Sequence, residues 1–456
     1  MKSRIQKKSR SLQLALGSVK CALRSVDPAN LIKNSLKLRD GQLLLYDIRK
    51  HRTIVDLKLF ESIYLIGAGK GTAKMASAVS EILSNRISGG AITIPYGTSC
   101  HINGISVTHS SHPTPDAAGV KGTKKMIEIL GKTSPSDLVI VLISGGASSL
   151  MPYPSVGLSL TEKQDISNSL ILSGASIEEV NAVRKHLSRV KGGQLPRYKN
   201  RECRLISLIV SDVINDRLDV IGSGPTYPDS STYEDATRVL KKYGLWRRQY
   251  PGVRTVIAEG VKSRRPETPK HGDTIFQKVS NVLIGNNEVA CTAATRYLVS
   301  RRIRAQKLGT SFGGEARIFG RKLADLVKLV QPEKSSFAYV LGGETVVKVN
   351  KVKQPGVGGR NQEAILSAAI ELKNFRTDKD TTILSFGTDG IDGNSDAAGA
   401  FWNSQVISNF RKRDLNATYF LKTHNSYYFF KQLNSLIITG RTGTNVNDVS
   451  VVCKVE

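Results

Sequence analysis

The chain of 456 residues carries a formal net charge of +28, with 40% hydrophobic and 23% charged residues. That length supports two or three domains with sizeable cores, and the balance is that of a soluble globular protein. No run of about 18 apolar residues occurs, which excludes an obvious transmembrane helix. Five scattered cysteines (Cys21, Cys100, Cys203, Cys291, Cys453) without a CxxC pair exclude a disulfide framework or thiolate metal site and suit a reducing compartment.

The first residues, MKSRIQKKSRSLQLAL, are basic and partly resemble a transit peptide. The stretch beyond keeps helical spacing through Leu14, Val19, Leu23 and Val26, then Leu31 and Leu36, and reads as the first helices of the fold. Apolar, β-branched runs then recur between helical stretches: Ser62–Ile66, Ala91–Ile94, Leu138–Ile143, Leu205–Val210, Val282–Ile284, Phe337–Leu341 and Thr382–Phe386. Continuous apolar strands of this kind predict a mostly parallel sheet covered on both faces, hence an α/β fold. A charged stretch with three prolines, about Arg247 to Gly272, is expected to hold a hinge, dividing the chain into domains 1–260 and 275–456.

Polar or glycine-rich ends follow five of these strands: GAGK, PYGT, SGGASS, SDVIND and GTDGIDG. Ligands of open α/β sheets bind beyond the carboxyl ends of the strands, so the set points to a polyanion site. In GAGKGTAKMA the P-loop pattern fails, because Tyr64 and Gly71 stand where it needs glycine and Ser or Thr. The dinucleotide pattern fits in part: Gly67 and Gly69 are correctly spaced, and Ala73 is one residue late. The acid which that pattern wants about 20 residues on is missing, since ITIPYGT stands there.

In SIEEVNAVRKHLSRVKGGQL, Ser176 and Glu179 form a capping box that starts a helix. Ile177, Val180, Leu187 and Val190 form its expected buried stripe, and Gly192–Gly193 its expected end. Asn181, Arg184, Lys185 and Ser188 share a polar face, which is either a solvated basic surface or, turned to the glycine-rich ends, an anion holder. Gly358, Gly359 and Arg360 open another helix, whose free N–H groups attract phosphate or carboxylate, and arginine captures either with two bonds. In GTDGIDGNSDAAGA, Asp392, Asn394 and Asp396 mimic half of a calcium loop, but Ala397 and Asn403 occupy its Gly and Glu positions. Calcium is rejected there, and one carboxylate holding nucleotide-bound magnesium is expected. No HExxH pair and no GxSxG elbow occur, so acyl transfer has no support.

GAGKGTAKMA, HPTPD, SGGASSL, NAVRKHLSRVKGGQL, SDV…IGSGPT…PD, SFGGEAR, GGRNQE, GTDGIDG and TGRTGTNVND follow one another in that order. Together, from about Leu14 to the C-terminus, they resemble the glycerate 2-kinase family, whose C-terminal portion is called the MOFRL domain. The resemblance implies a Rossmann-like α/β/α N-terminal domain, a smaller α/β C-terminal domain and a cleft between them. It implies ATP-dependent, Mg2+-assisted phosphorylation of D-glycerate at its 2-hydroxyl, by a cytoplasmic monomer or homodimer. Carried over by motif, Lys70 and Arg360 are the central charges, expected to act on the transition state rather than to hold the fold. Gly67, Gly69, Ser144, Gly145, Gly146, Ser148 and Ser149 would line substrate or nucleotide loops. Asn181, Arg184, Lys185, Gly358, Gly359, Asn361, Glu363 and Thr388 would join them. Residue type and strand-end position suggest Asp389 for the magnesium and Asp212 for accepting the hydroxyl proton. Ile214–Asn215, Ala147, Arg441 and Asn425 depart from the family's usual residues without removing Lys70 or Arg360.

Two readings compete. The GxG spacing suggests an NAD(P)H-dependent hydroxypyruvate reductase, and the net charge suggests a nucleic-acid binder. Aromatics are only 6% and are not interleaved with basic runs, so no specific nucleic-acid partner and no membrane partner are expected.

Overall fold

The computed structural model describes residues 9–246, 250–331, 335–349, 356–375, 380–413 and 415–456. The chain forms two units: a central one, Pro28–Ile284, and a terminal one that joins Met1–Asp27 to Gly285–Glu456.

In the central unit, a small antiparallel meander comes first: β1 (Leu36–Arg39), β2 (Gln42–Tyr46) and β3 (Arg52–Asp56). The main sheet follows, from β4 (Ser62–Ala68), β5 (Ile87–Pro95), β6 (Ile105–Ser110), β7 (Asp137–Ile143), β8 (Arg204–Val210) and β9 (Val279–Gly285), in the order β6-β5-β4-β7-β8-β9. The pairings from β6 to β8 are all parallel. The residues of β7 and β8 are buried on both faces, which is why these strands read as unbroken apolar runs. The Rossmann-like expectation holds. Strand order reverses between β4 and β7, and a ligand site is expected at their carboxyl ends. A second core of helices, with Ile166, Leu170, Val183, Leu187, Val256 and Ile257, packs beside the sheet core.

The terminal unit carries β10 (Arg304–Phe312), β11 (Phe337–Gly343), β12 (Asp380–Gly387), β13 (Gly399–Asn403), β14 (Leu436–Ile437) and β15 (Asp448–Val455). Their order is β10-β11-β15-β12-β13-β14, and only β10 and β11 pair in parallel. The two strands anticipated here, within β11 and β12, therefore lie antiparallel to β15, unlike the parallel sheet the apolar runs suggested. Their long apolar runs come from central placement rather than from parallel pairing. Helix Arg10–Ser25, capped by Ser9, belongs to this unit, and its Ser11 hydroxyl donates to Asp380 at 2.8 Å.

Of the stretch expected to hold a hinge, 247–249 lie outside the described residues. Beyond them Pro251–Val261 is a helix burying Val253, Val256 and Ile257, and the chain leaves the central unit at Ile284. Among the described residues no helix is long and apolar enough to cross a membrane.

Helices Ala316–Val330 and Arg360–Glu371 pack closely at Gly320, where a Cβ would stand 2.1 Å from the Ala364 carbonyl oxygen. Overpacking of this kind costs roughly 1–3 kcal/mol. Gly320→Ala is expected to lower the urea midpoint of unfolding accordingly, despite alanine's better helix propensity.

Candidate active site

At the switch point, β4 ends in the GAGK turn and helix Thr72–Leu83 follows. The turn is knitted to the end of β7. Lys70 N–H donates to the Gly145 carbonyl at 2.8 Å, and Gly71 N–H donates to Ser144 Oγ at 3.0 Å. A Cβ on Gly67 would meet the Leu142 carbonyl at 2.4 Å, and one on Gly69 would meet Ser144 Oγ at 2.1 Å. Gly67, Gly69, Ser144 and Gly145 thus serve close backbone approach, and two amides of the turn are already spent within the protein. The consequence is to set the Lys70 side chain over Gly146, whose added Cβ would lie 3.5 Å from Lys70 Cγ.

Gly146, with φ of +85°, turns the chain into the short helix Ala147–Leu150. Gly146, Ser148 and Ser149 line a cavity of about 410 Å³, together with His112, Lys163, Arg184 and Lys191. Lys191 Nζ donates to the carbonyl and hydroxyl of Ser148. Ser148 Oγ lies 3.0 Å from Ser223 Oγ, which donates to Asn181 Oδ1 at 3.2 Å. Asn181 therefore supports the cavity wall through a hydroxyl relay.

Helix Ile177–His186 starts with both halves of the expected capping box. It ends at His186, short of Gly192–Gly193, which instead adopt left-handed turns at φ of +59° and +74°. Ile177 is exposed, while Val180, Leu187 and Val190 are buried. The polar face is not a solvated surface. Asn181, Lys185 and Ser188 are buried, and their roles diverge. Arg184 turns to the cavity. Lys185 is held by Asp229 at 3.0 Å and Asp219 at 3.5 Å, so it is a structural cation and not a cavity residue.

In the terminal unit, Arg360 is gripped at Nε and Nη2 by Asp448 and at Nη1 by Glu344, 3.0 Å away. Burial works against its charge, yet the two carboxylates hold its pKa above the ordinary arginine value. The helix entrance beside it is also occupied. Asn361 and Gln362 N–H donate to the buried carboxylate of Asp392 at 3.0 and 2.8 Å. Those amides, expected to face phosphate, are capped by the protein's own anion. Gly359 admits that carboxylate, since its Cβ would lie 2.4 Å from Asp392 Cγ, and Gly358 N–H donates to Asn394 Oδ1 at 2.9 Å.

Asn361 also accepts from Ser385, Glu363 is buried against Arg317 and His424, and Thr388 bonds the Asn447 carbonyl. These three hold the fold around the loops. Asp212 is half-buried two residues past β8, and Asp389 is half-buried past β12, accepting from Ile391 N–H at 3.1 Å. Among the described residues no group of three His, Cys, Asp or Glu could hold a metal ion. A lone carboxylate still suits magnesium, which keeps its waters and binds through one or two carboxylates plus substrate phosphates.

Residues 14–258 match the model of a domain of unknown function (DUF4147), and residues 337–448 match the MOFRL family. The D-glycerate 2-kinase of Thermotoga maritima is 39% identical over 435 residues, covering 93% of this chain and 99% of its own. The chain belongs to the glycerate 2-kinase family. The crystal structure of glycerate kinase from Thermotoga maritima matches with a TM-score of 0.82 at 37% identity, over 97% of this chain and 99% of that one. A relative from Agrobacterium vitis bears the name hydroxypyruvate reductase, at 35% identity over 85% of this chain and 86% of its own.

Within this glycerate 2-kinase family chain, sequence reasoning overlooked Lys163, Lys191, Glu344 and Asp448. Lys191 stood in a quoted motif, directly before its glycine pair, and Asp448 closed another. Lys163 had one signal: a lysine in register with Ile166, Ser167 and Leu170 on the buried side of its helix.

Burial pushes the Asp392 carboxyl up to about 6, outweighing the Gln362 and Asn361 amides that pull it down. A raised carboxyl means the protonated form is favoured by folding. Its stabilising contribution is full below the ordinary value of 3.8 and is lost as pH rises through about 6. Asp392→Asn mimics the neutral form. Wild type should therefore lose roughly 3 kcal/mol relative to this variant across that window, read from urea midpoints at a series of pH values.

Proposed function

We infer that the protein transfers the γ-phosphoryl group of ATP to the 2-hydroxyl of D-glycerate, giving 2-phosphoglycerate and ADP. The observation that carries this reading is kinship with the Thermotoga D-glycerate 2-kinase over nearly the whole of both chains. The cationic cavity beside Lys70, at the sheet's switch point, supports it, because phosphoryl transfer asks mainly for positioning and charge stabilisation.

In this reading Lys70 neutralises charge on the transferring group, and Asp212 accepts the hydroxyl proton of glycerate. Asp389 is the single protein ligand for magnesium, which would supply further neutralisation when bound with the nucleotide. Arg360 has a narrower role than a free anion clamp. Its fork is engaged by Asp448, and only the more exposed Glu344 arm is open to exchange for a substrate carboxylate.

A coupled assay with ATP, D-glycerate and magnesium, resolving 2- from 3-phosphoglycerate, tests the reading. NAD(P)H-dependent reduction of hydroxypyruvate without ADP formation would overturn it in favour of the reductase. Lys70→Met is expected to lose at least about 10²-fold in turnover, the typical worth of one preorganised charge or donor, with its melting temperature unchanged. Arg360→Met should lose activity and also stability, by roughly 3–5 kcal/mol, because Asp448 would be left buried and unpaired. The ion pair thus changes the expectation that Arg360 does not hold the fold.

A further inference from the structure

The cavity of the central unit gathers three cations, Lys163, Arg184 and Lys191, and no carboxylate lines it. Among the described residues none of the three has a carboxylate partner. Lys185, next in sequence to Arg184, is given two. The fold therefore supplies counter-ions to one buried lysine here and withholds them from its neighbours.

Lys163 is the sharpest case. It sits on helix Leu160–Leu172, buried, and its Nζ has no hydrogen-bond partner. Glu162 beside it is turned away, accepting from Gly252 N–H at 2.8 Å on helix Pro251–Val261. The titratable groups that share the cavity with Lys163 are Arg184 and Lys191 from the segment after Ile177, and His112, which lies beside Gly146. Burial, and then Arg184, draws Lys163 down to about 7, and burial holds Lys191 well below its ordinary range. A buried charge without a partner is expensive for the fold. One unpartnered buried amine, beside two more basic groups that the fold leaves without a carboxylate, is explained by a ligand that carries several negative charges.

A single carboxylate such as that of glycerate would leave most of this charge unbalanced. A chain of phosphates matches it, and charge-assisted bonds to phosphate are among the strong ones. Apolar walls from Pro113, Pro152, Leu160 and Ile171 suit the rest of a nucleotide. The near end of the cavity is Gly146, over which Lys70 lies.

We propose that this cavity seats the phosphate chain of the nucleotide substrate, and that Lys163 is a phosphate ligand in it, with Arg184 and Lys191 on either side. The proposal rests on the kinase reading given above. It adds the residues that hold the phosphate chain, which runs toward Lys70.

The test is calorimetric binding of ADP, tripolyphosphate, 2-phosphoglycerate and D-glycerate to wild type and to Lys163→Met. ADP and tripolyphosphate should each bind roughly tenfold more weakly or worse to the variant, the worth of one charge-assisted contact, with D-glycerate unchanged. At about pH 8 wild-type Lys163 is largely neutral when free, and a polyanion raises its pKa. Tripolyphosphate binding should then take up protons, seen as a dependence of the heat on buffer ionisation, and the variant should lose that uptake. The variant should also melt no lower than wild type, since an unpaired buried cation has been removed. Unchanged ADP and tripolyphosphate affinity would overturn the proposal. So would a loss confined to 2-phosphoglycerate, which would make the cavity the product's phosphate site, and so would a marked fall in melting temperature, which would make Lys163 structural. Wild-type turnover of glycerate with ATP is measured beside these. Turnover with Lys163-independent binding refutes the site alone, and Lys163-dependent binding without turnover refutes the kinase reading alone.

Discussion

The site in the central unit depends on how closely two neighbouring strands approach at their carboxyl ends. Side chains cannot fit between β4 and β7 there, because Gly67 and Gly69 face the Leu142 carbonyl and Ser144 at contact distance. Glycine at those positions is a packing requirement first. With the ends closed by the bonds from the Lys70 and Gly71 amides, the lysine side chain lies over Gly146. The turn acts less as a cradle of amides than as a clamp that aims one cation.

Much of this was legible in the sequence, and the misses have physical causes. All seven anticipated strand segments lie within observed strands, because strands buried on both faces leave unbroken apolar runs. Strands with one exposed face, such as β10, left only a weak alternation and were missed. The direction of pairing in the terminal unit was hidden, since a central antiparallel strand is as apolar as a parallel one. For the site, residue type showed which side chains carry charge but not which carboxylates answer them. Arg184 and Lys185 are adjacent in sequence, and only the fold separates a cavity cation from a paired one. The helix entrance at Gly359 was read as open for the same reason, with Asp392 lying 33 residues away.

The two units treat charge in opposite ways. Around Arg360 the protein supplies its own anions: Asp448, Glu344 and the capping carboxylate of Asp392. Around Lys163 it supplies none. Electrostatic preorganisation of this kind keeps donors fixed while the ligand's charge changes, so little reorientation is needed during reaction.

Helix Arg10–Ser25 has a consequence for how the chain is assembled. It packs with strands nearly four hundred residues later: Ser11 meets Asp380 and Thr382, and the Val26 carbonyl accepts from Thr444. The last strand, β15, lies in the middle of that unit's sheet, between β11 and β12. During synthesis the Pro28–Ile284 segment is whole long before its flanks can meet. The central unit is in effect an insertion within the other, and the first helix must wait through the synthesis of that whole unit before its main partner, helix Asn287–Ser300, can cover it.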